Sequence, residues 1–396
     1  MNKRWVLTET DEQAVDELHE SLRINRILCK LLVQRGVKTF EDARKFFRPS
    51  LESHLYDPFL MQDMDKAVER IDRAMQNKEK ILVYGDYDVD GTTAVALLYG
   101  FIKDLYFYVD YYVPDRYKEG YGISTEGINW AKEGGFSLII AVDCGIKAND
   151  KVQYALDLGI DFIICDHHRP GEELPLAYAV LDPKRADCDY PFKELSGCGI
   201  AFKLVQALAA TKHLSFKKVT RYLDLVAVSI AADIVPIVDE NRVLAYYGLK
   251  QLNRNPRPGL RSLIELNPIN RELSISDIVY IIAPRINAAG RMDDARQAVR
   301  LLISQEGAIA KKNANELQLR NSERKIVDMG ITEEALLMVE NDPVFFHKKT
   351  TVLFKPDWHK GVIGIVASRL IERFFRPTIV LTASNNIVSG SARSIP

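Results

Sequence analysis

The chain has 396 residues, 53 lysines and arginines against 54 acids, a formal net charge of −1, and 47% hydrophobic residues. That length holds roughly two to three domains with substantial cores, and the charge balance excludes a protein that grips phosphate backbone through a generally basic surface. Five cysteines, an odd number, with no leader and no long apolar run, point to a reducing cytoplasm. Cys165, Cys188 and Cys198 lack the close pairing of a structural zinc site, so all five read as buried thiols.

In chain order, the first informative element is Ile81-Leu82-Val83-Tyr84, a short apolar, β-leaning run that Gly85 ends where a strand turns into a loop. From Thr92 onward, Ala94, Val95, Leu97, Leu98, Phe101 and Ile102 recur at helical spacing. Asp86, Asp88 and Asp90 therefore occupy the loop between a strand's carboxyl end and a helix's amino end, where open α/β sheets bind ligands. Three carboxylates this close repel one another unless cations sit among them, and hard oxygen ligands suit Mg²⁺ or Mn²⁺. The loop superficially resembles a phosphate-binding loop, but it lacks the Gly-Lys-Ser/Thr ending and its acids repel a nucleotide unless metals intervene.

The arrangement recurs downstream. Leu138 to Val142 reads as a buried strand followed by Asp143-Cys144-Gly145, and Phe162 to Cys165 as another, ending in Asp166-His167-His168. Strands alternating with helical stretches predict βαβ units and a parallel sheet, with Asp88, Asp90, Asp143, His167 and His168 delivered to one rim. Asp233 lies in the otherwise apolar run from Ala231 to Pro236, where an unpaired buried carboxylate is costly, so a cation or donor is expected beside it. Singly, Asp143 or Asp233 reads as a helix cap and a histidine as structural; jointly they predict a metal site. Farther on, Glu306 to Asn341, rich in Ala, Leu, Lys, Glu and Arg, predicts a long helical linker. Thr351 to Phe354 and Thr378 to Leu381, strands around a helix near Val362 to Phe374, predict a small α/β domain. Two lobes joined by a helix leave a cleft through which a nucleic-acid strand can thread. Local stripes at Arg116-Tyr117-Lys118, Arg254 to Arg261, and Arg369 with Arg373 offer positive charge, although such stripes are mostly solvated faces.

Together, Gly85-Asp-Tyr-Asp-Val-Asp-Gly91, Val142-Asp-Cys-Gly145, Cys165-Asp-His-His168 and Ala232-Asp-Ile-Val-Pro236 resemble the four motifs of the DHH phosphoesterases. Within that superfamily the resemblance is to the RecJ exonucleases, since small-nucleotide phosphodiesterases and family II pyrophosphatases carry a His…Pro-Asp-x-Asp form of the first motif. Arg35-Gly36, Phe47 to Leu51 and Asp57 to Ala67 are similar to the RecJ lead-in, Pro284 to Met292 to a later RecJ segment, and Trp358 to Leu370 to the opening of the DHHA1-type accessory domain. The resemblance implies an α/β fold: a helical lead-in (1–75) packed on a DHH parallel-sheet catalytic domain (76–305), a long helical linker (306–345) and a smaller, partial DHHA1-type α/β domain (346–396). The chain stops before the Gly-Gly-Gly-His stretch usual in such domains and has no oligonucleotide-binding barrel, so a truncated accessory domain is expected.

The resemblance further implies a two-metal, Mn²⁺- or Mg²⁺-dependent 5′→3′ exonuclease releasing 5′ mononucleotides from single-stranded DNA in recombination and repair. By similarity, Asp143 bridges the metals, with Asp88 on one side and Asp90, His167 and Asp233 on the other. Asp86 is a ligand or an acceptor behind one, and His168 faces the phosphate. Arg116, with Ser391 and Arg393, is expected to hold the DNA 5′ phosphate, and Arg285 in the later RecJ-like segment is expected to contact DNA. Tyr117 and Tyr121 offer stacking faces. A RecQ-type helicase and single-strand-binding protein are the implied partners, in the cytoplasm without a membrane. Two other readings compete: a hydrolase of short oligonucleotides or dinucleotides, against which the Asp-x-Asp-x-Asp motif argues, and a catalytically silent replication scaffold, against which the complete ligand set argues.

Overall fold

The structure, a computed structural model, describes residues 4–292, 294–384 and 387–395. Five strands, β1 (Lys80–Gly85), β2 (Val109–Tyr112), β3 (Phe136–Val142), β4 (Asp161–Cys165) and β5 (Ala179–Leu181), form a parallel sheet in the order β2-β1-β3-β4-β5. Ile81 pairs with Val109 on one side and Leu138 on the other, Ile140 with Ile163, and Cys165 with Leu181. Side chains alternate along each strand. Ile81, Val83, Leu138, Ile140, Val142 and Ile163 enter the largest core, beneath the helices Val89–Lys103, Gly197–Thr211 and Leu223–Asp233. Leu82, Tyr84, Ile139, Ala141, Phe162 and Ile164 enter a second core, beneath the helices Thr125–Glu133 and Asn149–Asp157. Helices on both faces explain why the central strands read as continuous apolar runs.

From β1 the chain moves outward to β2, then crosses back to β3 and continues to β4 and β5. The direction of winding reverses between β1 and β3, so the loops leaving their carboxyl ends diverge and open a crevice. The acidic loops after β1 and β3 lie at that switch point.

Before the sheet, helices Glu12–Leu22, Arg26–Val33 and Phe40–Phe47 enclose their own small core around Val15, Leu18, Cys29 and Ala43, whereas the helix Met64–Gln76 belongs to the main core. The Arg242 guanidinium ties the lead-in to the catalytic domain, donating from Nε to the Phe46 carbonyl at 2.7 Å and lying 3.5 Å over the Phe46 ring. After the sheet, the 34-residue helix Gly307–Glu340 runs roughly 50 Å at 1.5 Å per residue. Its first half puts Ala310, Ala314 and Leu317 into the main core; its second half puts Ile331, Ala335 and Val339 into the core of the second lobe, against Val362, Val366 and Leu370. Far from a free tether, one helix is a wall of both lobes. That second lobe pairs β6 (Thr351–Phe354) with β7 (Thr378–Ser384) in parallel, and β7 with β8 (Ile387–Arg393) antiparallel, behind the helix Ile363–Phe374. Bonds from Arg369 Nη2 to Asp328 at 2.8 Å and from Trp358 Nε1 to Glu334 at 2.7 Å fix it to the long helix. Among the described residues, no helix is long and apolar enough to cross a membrane.

Candidate active site

The turn after β1 is built to expose carboxylates. Asp88 caps the helix Val89–Lys103, its Oδ1 accepting the Gly91 N–H at 2.9 Å. A side chain at residue 91 would put Cβ 2.5 Å from the Asp86 carbonyl oxygen, so the tight turn requires glycine there. Asp90 reaches across to the amino end of the helix Gly197–Thr211. Its Oδ2 accepts the Gly197 N–H and its Oδ1 the Cys198 N–H and the Ser229 hydroxyl, all at 2.7 Å. An anion at a helix amino terminus is favourably placed, which is how a nearly fully buried carboxylate is tolerated.

Asp143, one residue past β3, has φ 60°, the left-handed region that a non-glycine residue occupies only under constraint. Its amide stays anchored to the Cys165 carbonyl at 2.9 Å while the side chain turns toward the crevice. Gly197 leaves room for it, since a Cβ there would lie 2.6 Å from Asp143 Oδ1. His167, past β4, sets Nε2 3.2 Å from Asp143 Oδ1, 3.6 Å from Asp233 Oδ2 and 3.7 Å from Asp90 Oδ2. Asp233 arrives from the end of the helix Leu223–Asp233, where Ile234 at φ 59° turns the chain away. Its side chain is 30% exposed, which corrects the expectation that it is buried: the acid stands at the mouth of the crevice.

Asp166 faces inward and orients its neighbour. Its Oδ1 accepts from the His167 and His168 amides and lies 2.7 Å from His168 Nδ1, while its Oδ2 accepts the Ile146 amide at 2.9 Å. That bond places the proton on His168 Nδ1 and leaves Nε2 toward the crevice. The hydrogen bond with Asp166 raises the His168 pKa against the opposing effect of burial. For His167, burial wins and lowers the pKa, favouring the neutral imidazole that a metal ligand must be.

The acids behave oppositely. Burial, then the charge of Asp88, pushes Asp86 up to about 8; the partial burial of Asp233 at the crevice mouth, then Asp90, pushes it up to about 7. Asp143 is raised well above its ordinary value by burial and by Asp90 and Asp88. Both ring nitrogens of His167, Asp143 Oδ1 and Asp86 Oδ2 are buried without a hydrogen-bond partner. Donor atoms of Asp143, His167 and His168, and of Asp90, His167 and Asp233, each form groups within 4.8 Å. Orphaned buried oxygens and an imidazole among repelling carboxylates fit hard divalent cations. Asp86 and Asp88 stand outside those two tightest groups, Asp86 with its Oδ1 3.3 Å from the Gly122 amide.

The expected phosphate-binding residues divide. Arg116 lies with its guanidinium 4.9 Å from the centre of the Tyr87 ring, next to the acidic turn. The adjoining Tyr117 hydroxyl donates to the Arg291 carbonyl and contacts His359 of the second lobe. Arg393 donates to Ser391 Oγ at 3.0 Å and to Ser368 Oγ at 3.2 Å, beside Gly364 at the start of the helix Ile363–Phe374. Three residues earlier, Gly361 accepts from Arg291 Nη1 at 3.0 Å. One helical end thus gathers the second-lobe residues and the Arg116 loop. Arg285 is not part of this: it is 5% exposed, with its guanidinium bonded to Gln318, Asn267 and the Ile281 carbonyl. The expectation of a DNA contact there is corrected to a structural role, because its helix turns that side chain into the domain.

Arg291, one turn and a half farther along, was not singled out from the sequence. It shares a cavity of about 190 Å³ with Asn287, Arg324 and Ile365, and burial, then the charges of Arg116 and Arg324, lowers its pKa to about 10. Gly197, Cys198 and Ser229 were missed as well; Ser196, a helix-capping residue ahead of Gly-Cys-Gly, is the signal that would have found the first two.

A family model described as "DHH family, N-terminal domain" matches residues 80–230, the stretch that builds the sheet and its rim. The single-stranded-DNA-specific exonuclease RecJ of Bacillus subtilis is 43% identical over 395 residues, covering 99% of this chain and 49% of that protein. The chain thus spans about half the length of that relative. A solved structure of RecJ from Thermus thermophilus in complex with Mn²⁺ superposes with a TM-score of 0.83 at 28% identity, covering 98% of this chain and 55% of that one. A structure of exonuclease RecJ bound to manganese gives 0.76 at 33% identity, covering 85% of this chain and 83% of the other. With a crevice of this composition at the switch point of this sheet, and likeness of that extent, the chain belongs to the RecJ family.

Proposed function

We propose that the chain is the catalytic core of a 5′→3′ exonuclease that hydrolyses single-stranded DNA to 5′ mononucleotides, using two divalent ions, Mn²⁺ or Mg²⁺. The observation that carries the reading is the convergence of Asp88, Asp90, Asp143 and His167 from three strand ends, with Asp233 from a helix end, around buried donors that lack partners. When bound, such ions polarise the phosphoryl oxygens and lower the pKa of water. Asp143, with its Oδ1 3.2 Å from His167 Nε2, would be shared between the ions; Asp88 would help hold one, and Asp90, His167 and Asp233 the other. Asp86 would be a further ligand or an acceptor behind one, and its raised pKa means that it gives up a proton when cations bind beside it.

The Asp166 bond that raises the His168 pKa favours the imidazolium, with one proton at Nδ1 held against Asp166 and a second at Nε2 toward the scissile phosphate, where it would stabilise developing charge or pass to the leaving oxygen and leave neutral His168. Arg116, Arg291, Ser391 and Arg393 supply the cations and hydroxyl for a terminal 5′ phosphate, and a clamp set at one distance from the reacting centre fixes both polarity and a one-nucleotide step. A duplex end must be opened before one strand can enter, so a RecQ-type helicase with single-strand-binding protein fits as the partner that prepares the substrate in recombination and repair.

Digestion of a 5′-phosphorylated, 3′-labelled single-stranded oligonucleotide with Mn²⁺ tests the reading. Stepwise shortening by the parent and none by Asp143→Ala supports it; cleavage of dinucleotides alone overturns it in favour of a small-substrate hydrolase.

A further inference from the structure

The order of the sheet gives the rim a direction. Passing along the carboxyl ends in the order β2-β1-β3-β4-β5, one meets the Arg116 loop, the acidic turn, Asp143, then Asp166 to His168, and last the loop after β5. Beyond His168, on the side away from Arg116, the loops after β4 and β5 line a depression of about 850 Å³. It contains Arg169, Lys184 and Lys193. Arg169 is exposed and directly follows His168. Lys184 is close enough for its charge to act on both His167 and Asp233.

Not every cation there is available. Arg185 is held between Asp63 and Asp187, both at 2.7 Å, and Lys193 Nζ donates to the Cys188 carbonyl at 2.5 Å. Lys184 Nζ stands 3.4 Å from Glu194, a looser contact, and Glu172 shares the wall. The depression therefore offers spaced cationic contacts and no continuous basic field. Nothing in the chemistry of the scissile phosphate uses them.

We propose that Arg169 and Lys184 bind the backbone phosphates on the 3′ side of the scissile bond, so that the strand lies across the rim from the β2 end to the β5 end. The inference rests on the exonuclease reading, which puts the 5′ phosphate at Arg116. If that end is over β2 and the reacting phosphate over β1 and β3, the remaining strand continues over β4 and β5, roughly 10 Å farther at two strand spacings. Phosphate contacts of this kind position a strand without reading its sequence. They also act only on substrates long enough to reach them.

The test compares the parent with the Arg169→Ala/Lys184→Ala double variant on a 5′-phosphorylated dinucleotide and on a dodecamer. The ratio of kcat/KM for the dodecamer to that for the dinucleotide is expected to fall at least tenfold, and the charge-preserving pair Arg169→Lys/Lys184→Arg to restore most of it. Dodecamer binding with Ca²⁺, which reads the same contacts without turnover, should lose about 0.7 in its log–log salt slope per contact removed. An unchanged ratio together with an unchanged slope overturns the proposal. A parent that binds the dodecamer but never shortens it would instead count against the exonuclease reading, and the salt slope would still decide this one.

Discussion

Gly197→Ala probes the site through a residue with no side chain. The added Cβ would lie 2.6 Å from Asp143 Oδ1 and 2.9 Å from its Cγ, whereas ordinary contacts begin at 3.4 Å, so the carboxylate and the new methyl are about 0.8 Å too close. The helix carrying residue 197 cannot easily retreat, because the Gly197 and Cys198 amides are both bonded to Asp90 at 2.7 Å. Asp143 is the part that yields: it is already held at φ 60°, and its carboxylate Oδ1 has no hydrogen bond to keep it in place. A shift approaching 1 Å in the ligand proposed to bridge the ions is expected to cost about 100-fold in rate, while the overpacking costs about 1–3 kcal/mol of stability. Steady-state digestion of labelled single-stranded DNA, with a thermal melt to establish folding, measures both. A folded variant that cleaves within a factor of two of the parent would refute the claim that residue 197 sets the position of Asp143.

Three further outcomes follow from the same geometry. Replacing Asp166 by Asn removes the charge that raises the His168 pKa, so if His168 acts protonated, the alkaline fall of the pH–rate profile moves to lower pH and kcat drops by about 10²–10⁴; an unshifted profile contradicts the assigned role. Because Asp86 is pushed up to about 8 and Asp233 to about 7, metal binding must displace protons. Calorimetry with Mn²⁺ in buffers of different ionisation enthalpy should register that release, with affinity weakening as pH falls from 8 toward 7; buffer-independent heat counts against it. Arg116→Ala should mainly reduce the preference for a 5′-phosphorylated over a 5′-hydroxyl end, whereas Asp143→Ala abolishes turnover on both; equal effects of the two changes would undo the division between clamp and reacting centre.

The central strands were legible because they are buried on both faces: Ile81 to Tyr84, Leu138 to Val142 and Phe162 to Cys165 are apolar without interruption. Three of the four edge strands were not. β2 is Val-Asp-Tyr-Tyr with an exposed acid, β5 has only three residues before Asp182-Pro183, and β8 carries Ser-Gly-Ser at its centre. The helix Leu223–Asp233 is buried from Leu223 through Ala231 and so lacks an apolar face to announce its period, which is why Asp233 looked like a buried acid and not the exposed end of a helix. Acids and histidines clustered in sequence exposed the rim. Partners supplied by backbone amides, such as those of Gly197 and Cys198 to Asp90, leave no side-chain signature. Arg285 and Arg291 lie in the same short segment, and only the rotation of their helix tells which one enters the domain and which one faces the second lobe.

The most direct test of the account is titration of the chain with Mn²⁺, followed by electron paramagnetic resonance, alongside Asp143→Ala. Two ions per chain with an exchange-coupled spectrum, expected for ions about 3.5–4 Å apart, and loss of the coupling in Asp143→Ala are the predicted result. A single isolated ion, or a coupled pair that survives the loss of Asp143, would contradict the assignment of the crevice as a dinuclear site bridged by that residue.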